Sequence, residues 1–330
     1  MAYENPCNLS SAPVNTGSEC DSAMLSTQMI WLVPKHLKIP ANVVTTPGGV
    51  TAYLTTQMHA TPSLRIFPIF GNAIPVRSIT DANESDVLFT FEDGSTRLIR
   101  RGMMARTFVT DKGGLCLAQH YMSLNGDNFA FIEVDTEGKI NWMTNSDGTF
   151  SGFPANLIYA PTPELANLKT PYQNKFYLNF SPNYYIKRGK IIAPDSTEDV
   201  LDLTGLLDTV VTPAIGATQS VTNIFVNVET VCGQTDLVSL LPGSAVEGAM
   251  AQITNFGPIT LSVSPFTVVT PTAALAIPAA NGNPAMVKLT GTFVSGSSYL
   301  VPLAPPATLL ANGVEGYDGG ETLPATVTIP

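Results

Sequence analysis

Between Asp86 and Thr149 short apolar runs alternate with turn signals, and this pattern constrains the chain more than any other feature. Val87-Leu88-Phe89-Thr90-Phe91 is closed by Glu92-Asp93-Gly94-Ser95 and answered by Thr96-Arg97-Leu98-Ile99-Arg100. Phe129–Val134 meets Asp135-Thr136-Glu137-Gly138-Lys139, and Ile140–Thr144 meets Asn145-Ser146-Asp147-Gly148. Glycine reaches positive φ without a Cβ clash, so Asp-Gly and Glu-Gly between apolar runs predict tight hairpins. Strands and polar turns every 8–12 residues mean antiparallel sheet.

The rest of the chain is read in the same way. Met29–Val33 predicts a short apolar strand closed by Pro34. Residues 40–63 read as loop with weak strand character. Further β segments are expected around Pro68, at Leu115–Met122, Phe176–Phe180 and Tyr185–Ile192. Asn125–Asn128 reads as a turn. One helix is expected, Thr162–Lys169, with Thr162 as cap, Pro163 in the first turn and Pro171 as the stop. After Asp195 short runs such as Ile224–Val228, Leu237–Leu241, Ile259–Val263, Phe266–Thr270, Met286–Thr290 and Tyr299–Leu303 predict a second, Ig-like β-sandwich.

Charge divides the chain. Up to Pro194 fifteen Lys and Arg balance fifteen Asp and Glu; beyond it Lys288 stands alone against eleven carboxylates. Such a shift marks a boundary. Three parts follow: an extended arm 1–28, a β domain 29–194 and an acidic β domain 195–330. The acidic part disfavours nucleic acid and anionic membranes. Only 13% of residues are charged, against about 25% in soluble domains, so neutral polar residues or other copies of the chain are expected to cover much of the surface. No basic-then-apolar leader opens the sequence, and no apolar run approaches a membrane span.

The search for chemistry yields no enzyme reading, no cofactor and no metal site. Gly148-Thr149-Phe150-Ser151-Gly152 has its serine in the wrong place for a nucleophile elbow, and no phosphate-cradling glycine motif is present. His36, His59 and His120 share no ligand spacing. Cys7, Cys20, Cys116 and Cys232 are too widely spaced for zinc pairs. A cytosolic origin favours free thiols, with a Cys7–Cys20 bridge as the alternative. The basic cluster Arg97, Arg100, Arg101 and Arg106 is the one polar feature of note. Alternation places Arg97 and Arg101 on one strand face and Arg100 on the other. We read the four as candidate contacts to carboxylates of a neighbouring subunit; phosphate binding and a charged, solvated edge are the alternatives.

The stretches FTFEDGSTRLIRRG and FAFIEVDTEGKINWMTNSDG, followed by one helix candidate and more strands, resemble the phage tail tube fold, a β-sandwich or small barrel with a flanking helix. The arm CNLSSAPVNTGSEC before an apolar strand is similar to structural proteins of phages that infect Bacteroidetes. The resemblance covers residues 1–194 and carries no functional residue across. It implies a virion protein assembled in the host cytoplasm, a homo-oligomer stacked in rings around a DNA-conducting lumen. Its partners would be itself and other virion proteins, with no specific nucleic-acid binding and no membrane span. The acidic domain would face outward as a decoration. The alternatives are another virion component (capsid, baseplate or decoration protein) and a carbohydrate-binding adhesive β-protein with Tyr184, Tyr185 or Trp142 in an exposed groove.

Overall fold

The structure, a computed structural model, describes residues 3–4, 24, 26–60, 67–68, 76–111, 114–126, 128–169, 171–194, 200–203, 205–232, 237–238, 253–255, 267–269, 272–277, 285–311, 316–318 and 325–330. The chain divides into two compact units, Met1–Gly205 and Leu206–Pro330, and it is mainly β. The expected runs Leu64–Ile66, Ile69–Phe70 and Ile259–Val263 lie outside the described residues, as do most of the arm and of Leu237–Leu241.

In the first unit the elements are β1 (Tyr3–Glu4), β2 (Thr27–Pro34), α1 (Ala41–Thr45), α2 (Gly49–Met58), β3 (Phe67–Pro68), β4 (Ser78–Asp81), β5 (Val87–Thr90), β6 (Thr96–Arg100), β7 (Met104–Thr110), α3 (Leu115–Ser123), β8 (Phe129–Asp135), β9 (Ile140–Thr144), β10 (Phe150–Ser151), β11 (Phe153–Tyr159), β12 (Asn174–Phe180), α4 (Pro182–Arg188) and β13 (Gly189–Pro194). Among the described residues, the main sheet runs β1-β13-β9-β8-β11-β12-β7-β4, with β2 also on β8.

The middle of this sheet is buried on both faces. On β2, Met29, Trp31 and Val33 join one core while Ile30 and Leu32 join another. On β8, Ala130, Ile132 and Val134 face the first core and Phe131 the second. Burial on both faces is why Met29–Val33 reads as an unbroken apolar run rather than an alternation. Val44 of α1 and Val50, Leu54 and Met58 of α2 close the first core. The second is closed by β11, β12 and β7, with Ile158, Phe176, Leu178 and Phe108 pointing in. The unit is a sandwich with helices on its outer side.

The three tight hairpins form as expected: Gly94, Gly138 and Gly148 have φ of 83°, 75° and 80°, and they join β5 to β6, β8 to β9 and β9 to β10.

Several elements differ from expectation. Leu115–Met122 is helix, because Leu117, Tyr121 and Leu124 form a helical stripe against the second core, with Ala118 buried beside them; a strand would have paired exposed Gln119 with Tyr121 on one face. Of the expected loop 40–63, residues 40–60 hold α1 and α2, and 61–63 lie outside the described residues. Val50, Leu54 and Met58 recur at i, i+4 and i+8 and override the weak helix propensity of Val and Thr. Thr162–Lys169 is not a helix, since Leu165 and Leu168 stay exposed and no apolar face is buried there. The same Ser/Thr-Pro signature does start α4, where Ser181 accepts from the Asn183 amide and Tyr185 packs on the second core. Tyr185–Ile192 is therefore helix first and strand only from Gly189.

The division at Gly205 falls after the charge shift at Pro194. Val200 and Leu203 pack into the first core, so Asp195, Glu198, Asp199 and Asp202 stay with the first unit in sequence.

The second unit comprises β14 (Leu207–Pro213), β15 (Asn223–Thr230), β16 (Ile253–Asn255), β17 (Thr267–Val269), β18 (Ala273–Ile277), β19 (Met286–Thr290), β20 (Ser298–Val301), α5 (Pro306–Ala311), β21 (Tyr317–Asp318) and β22 (Ala325–Thr328). Two sheets, β18-β19-β15-β14-β21 and β17-β16-β20-β22, share one core. Ile224, Val226 and Val228 of β15 and Val287 and Leu289 of β19 meet Tyr299, Val301 and Val327 of the other sheet.

Candidate interaction surface

β4 and β7 pair inside the first unit, and the chain between them leaves it as a ribbon. Asp81 opposes Arg106 at the last paired position of β4. Beyond it the Ala82 amide donates to Ala105 O at 2.9 Å and the Glu84 amide to Met103 O at 2.9 Å. β5 and β6 then continue as a two-stranded sheet that pairs with no other strand among the described residues. Every residue of 80–101 is exposed. From Asp81 to Phe91 the contour is roughly 30 Å at about 3.3 Å per residue.

Both faces of the ribbon are apolar. Leu88 opposes Leu98, and Phe89 opposes Arg97; Phe89 and Phe91 meet edge to face at 4.8 Å. Phe89 is 51% exposed, Leu88 59% and Ile99 62%. A sheet apolar on both sides and packed on neither is the pattern of a surface that another surface covers.

The root of the ribbon is fixed by polar contacts. Gly102 donates its amide to Asp86 Oδ1 at 2.8 Å, Met103 donates to Glu84 Oε2 at 3.2 Å and Ala105 to Asn83 Oδ1 at 3.1 Å. Gly102 is required sterically: a Cβ there would lie 1.9 Å from Glu84 O. Deeper still, Arg106 Nε donates to Asp81 Oδ1 at 2.7 Å, and Nη1 donates to Glu133 Oε1 at 2.6 Å. Glu133 is fully buried. Its Oε2 accepts from Tyr185 Oη at 2.7 Å and from Asn141 Nδ2 at 3.0 Å. Burial opposes the Arg106 charge, but Glu133 and then Asp81 outweigh it and hold the guanidinium above its ordinary range. Burial, then the Glu133 carboxylate, raise the Tyr185 phenol as well.

The four candidate arginines thus separate. Arg106 is spent inside its own chain. Arg97, Arg100 and Arg101 lie on the exposed ribbon, Arg100 in a loose 3.8 Å pair with Glu84. The expected faces also change. Arg97 opposes Phe89 and Arg100 opposes Val87, with a bulge between Val87 and Leu88; the extra residue on β6 shifts the pleat and brings Arg97 and Arg100 to one face. Sequence reading missed Glu133 and Asn141. The available signal was a charged and an amide side chain, each inside a strongly apolar strand and equally placed about the Gly138 turn.

Other expected sites change too. Trp142 is fully buried and stacked on Phe150 at 4.7 Å, and the Tyr185 hydroxyl is bound to Glu133, so neither lines an open groove; Tyr184 is exposed beneath Arg188 at 5.7 Å. Cys116 and Cys232 are disulfide-bonded rather than free. No group of three or more His, Cys, Asp or Glu among the described residues could hold a metal. No helix among them is long and apolar enough to cross a membrane.

Comparison of the sequence with models of known protein families finds no match, and comparison with curated proteins finds no relative.

Proposed function

We propose that this chain is a self-assembling structural subunit, a virion protein of the phage tail tube kind that forms stacked rings around a DNA-conducting lumen. The observation that carries the reading is the ribbon of residues 80–101. A soluble monomer rarely exposes a contiguous apolar patch larger than a few hundred Å², and here Val87, Leu88, Phe89, Phe91, Leu98 and Ile99 are all open on one projection. An assembled ring covers such a projection in every copy at once.

Two further features support the reading. The low charged fraction of the chain suits a protein whose surface is largely occupied by its own copies. The polar lock at Arg106 and Glu133 fixes the ribbon's exit from a rigid sandwich, and rigid exits let identical contacts repeat. The work of such a subunit is mechanical, and its specificity lies in geometry and edge charge.

The test is negative-stain microscopy of the purified full chain, with the sedimentation profile beside it. Rings or stacked tubes are the expected result. A strictly monomeric protein across the micromolar range overturns the reading.

A further inference from the structure

The ribbon's charges are sorted by strand. From Glu84 to Asp93 the first arm carries Glu84, Asp86, Glu92 and Asp93 and no base. From Thr96 to Arg101 the second carries Arg97, Arg100 and Arg101 and no acid. β5 and β6 pair with each other on one side, and among the described residues each leaves its outer backbone edge unpaired. One ribbon therefore has an acidic edge and a basic edge.

We propose that the outer edge of β5 in one copy pairs with the outer edge of β6 in the next, head to tail, in an intermolecular antiparallel sheet. This rests on the self-assembly reading and adds the pairing that performs it. The alternatives are set against it by charge. Two β6 edges would place three arginines against three, and two β5 edges four carboxylates against four; like charges directly opposite are destabilising. Opposite edges attract in register when all ribbons point the same way. β5 runs from root to tip and β6 from tip to root, so neighbours are antiparallel. By the heights of the in-chain ladder, where Val87 opposes Arg100, Asp86 then stands beside Arg100 and Arg101 with Glu84 next to it toward the root, while Glu92 and Asp93 sit at the tip, three and four residues beyond the level of Arg97. The in-chain ladder already displays this matching of heights in Val87 opposite Arg100, Phe89 opposite Arg97 and Glu84 beside Arg100.

The occupant is a second copy because that copy brings the complementary edge, the matching length and the same two apolar faces. A head-to-tail contact is not self-limiting: it closes into a ring when the rotation permits and otherwise extends. Strand addition also removes the exposed edges that a free ribbon presents.

The experiment uses two full-length variants, Thr90→Cys and Thr96→Cys, which oppose each other across the in-chain hairpin. Each variant alone lacks the partner thiol within its own ribbon. In the paired sheet, Thr96→Cys of one copy meets Thr90→Cys of the next at cross-strand distance, within disulfide reach. After mild oxidation of the mixture, non-reducing gels should show a covalent dimer at least about tenfold above either variant alone, with the unsubstituted chain as background for its native cysteines. Adding Arg97→Glu, Arg100→Glu and Arg101→Glu to the Thr96→Cys variant should abolish the dimer while thermal unfolding stays unchanged. Equal dimer from one variant alone, no dimer in the mixture, or a dimer indifferent to the charge reversal each overturn the proposal. Rings in micrographs without the mixed dimer refute this pairing alone. Absence of both rings and dimer removes the self-assembly reading with it.

Discussion

Arg106 reaches across the sandwich from β7 and donates to Glu133 of β8 at 2.6 Å, where Glu133 has no exposed surface. The pair joins the two layers at the point where the ribbon leaves them. Charge taken out of water is costly, and only mutual attraction and additional donors recover the cost; Tyr185 and Asn141 supply those donors. Removing one partner leaves the other uncompensated. Glu133→Leu should destabilise the first unit by about 3 kcal/mol. Arg106 keeps some contact with solvent and with Asp81, which holds the loss to the lower end of the usual range. The double variant with Arg106→Met should recover most of it, because an apolar pair leaves no orphaned charge. Urea unfolding of the two single variants and the double variant gives the coupling, and additive losses would show that the pair does not act as a unit.

Gly102→Ala addresses the ribbon root in isolation. Its Cβ would meet the Glu84 carbonyl, so the two arms must separate and the contacts of Gly102 and Met103 must lengthen. Local opening should become easier by about 1–2 kcal/mol, roughly a five- to thirtyfold rise in opening. Proteolytic cleavage within residues 82–101 should rise by that factor, while the melting temperature of the unit moves by less than about 2 °C. A large fall in melting temperature with unchanged cleavage would mean that the root is part of the global core.

How much of this was legible in the sequence depends on where each residue's energy comes from. Gly94, Gly138 and Gly148 were readable because a two-strand turn is a local event decided by glycine's access to positive φ. Leu115–Met122 was not, because its short apolar run carries no local signal that separates strand from helix, and only the neighbouring second core selects the helical stripe over a strand face. Thr162–Lys169 and Ser181–Arg188 carry the same capping signal. Tyr185 finds a core to enter and Leu168 does not, which no local pattern reports. The arginine cluster was visible as composition. Its division into one buried lock and three ribbon charges required the β4–β7 ladder and the bulge opposite Val87.

The cysteines give a chemical test. Cys116 and Cys232 are both in disulfides, whereas the expectation of a cytosolic origin implied free thiols, since such bonds are rare in that compartment. The chain has four cysteines. Unfolded without reductant, it should therefore titrate no more than two thiols; after reduction it should titrate all four. Thiol-reagent absorbance in denaturant measures both numbers, and three or four thiols before reduction would contradict the bonded state.

The last prediction concerns alkaline pH. Burial first, and the Glu133 carboxylate second, raise the Tyr185 phenol well above its ordinary value of about 10. Tyr121 and Tyr53 are raised by burial as well. A group whose pKa is higher folded than unfolded contributes stability that is complete below the unfolded value and is lost as pH rises above it. Stability should thus be flat with respect to these phenols up to about pH 9 and should fall from about pH 10 upward. Arg106 does not reverse this, because its own raised value keeps it charged throughout the window. Tyr185→Phe separates the contributions. At pH 7 it removes a donor to a buried carboxylate and should cost about 1.5–3 kcal/mol. Above pH 10 the parent loses the same contribution by ionisation, so the gap between parent and variant should narrow with each half unit of pH. Urea midpoints at pH 7, 9, 10 and 11 give the gap directly. A constant difference across that series would mean that Tyr185 titrates in the folded state as it does in the unfolded chain, and that the Glu133 site does not hold its proton.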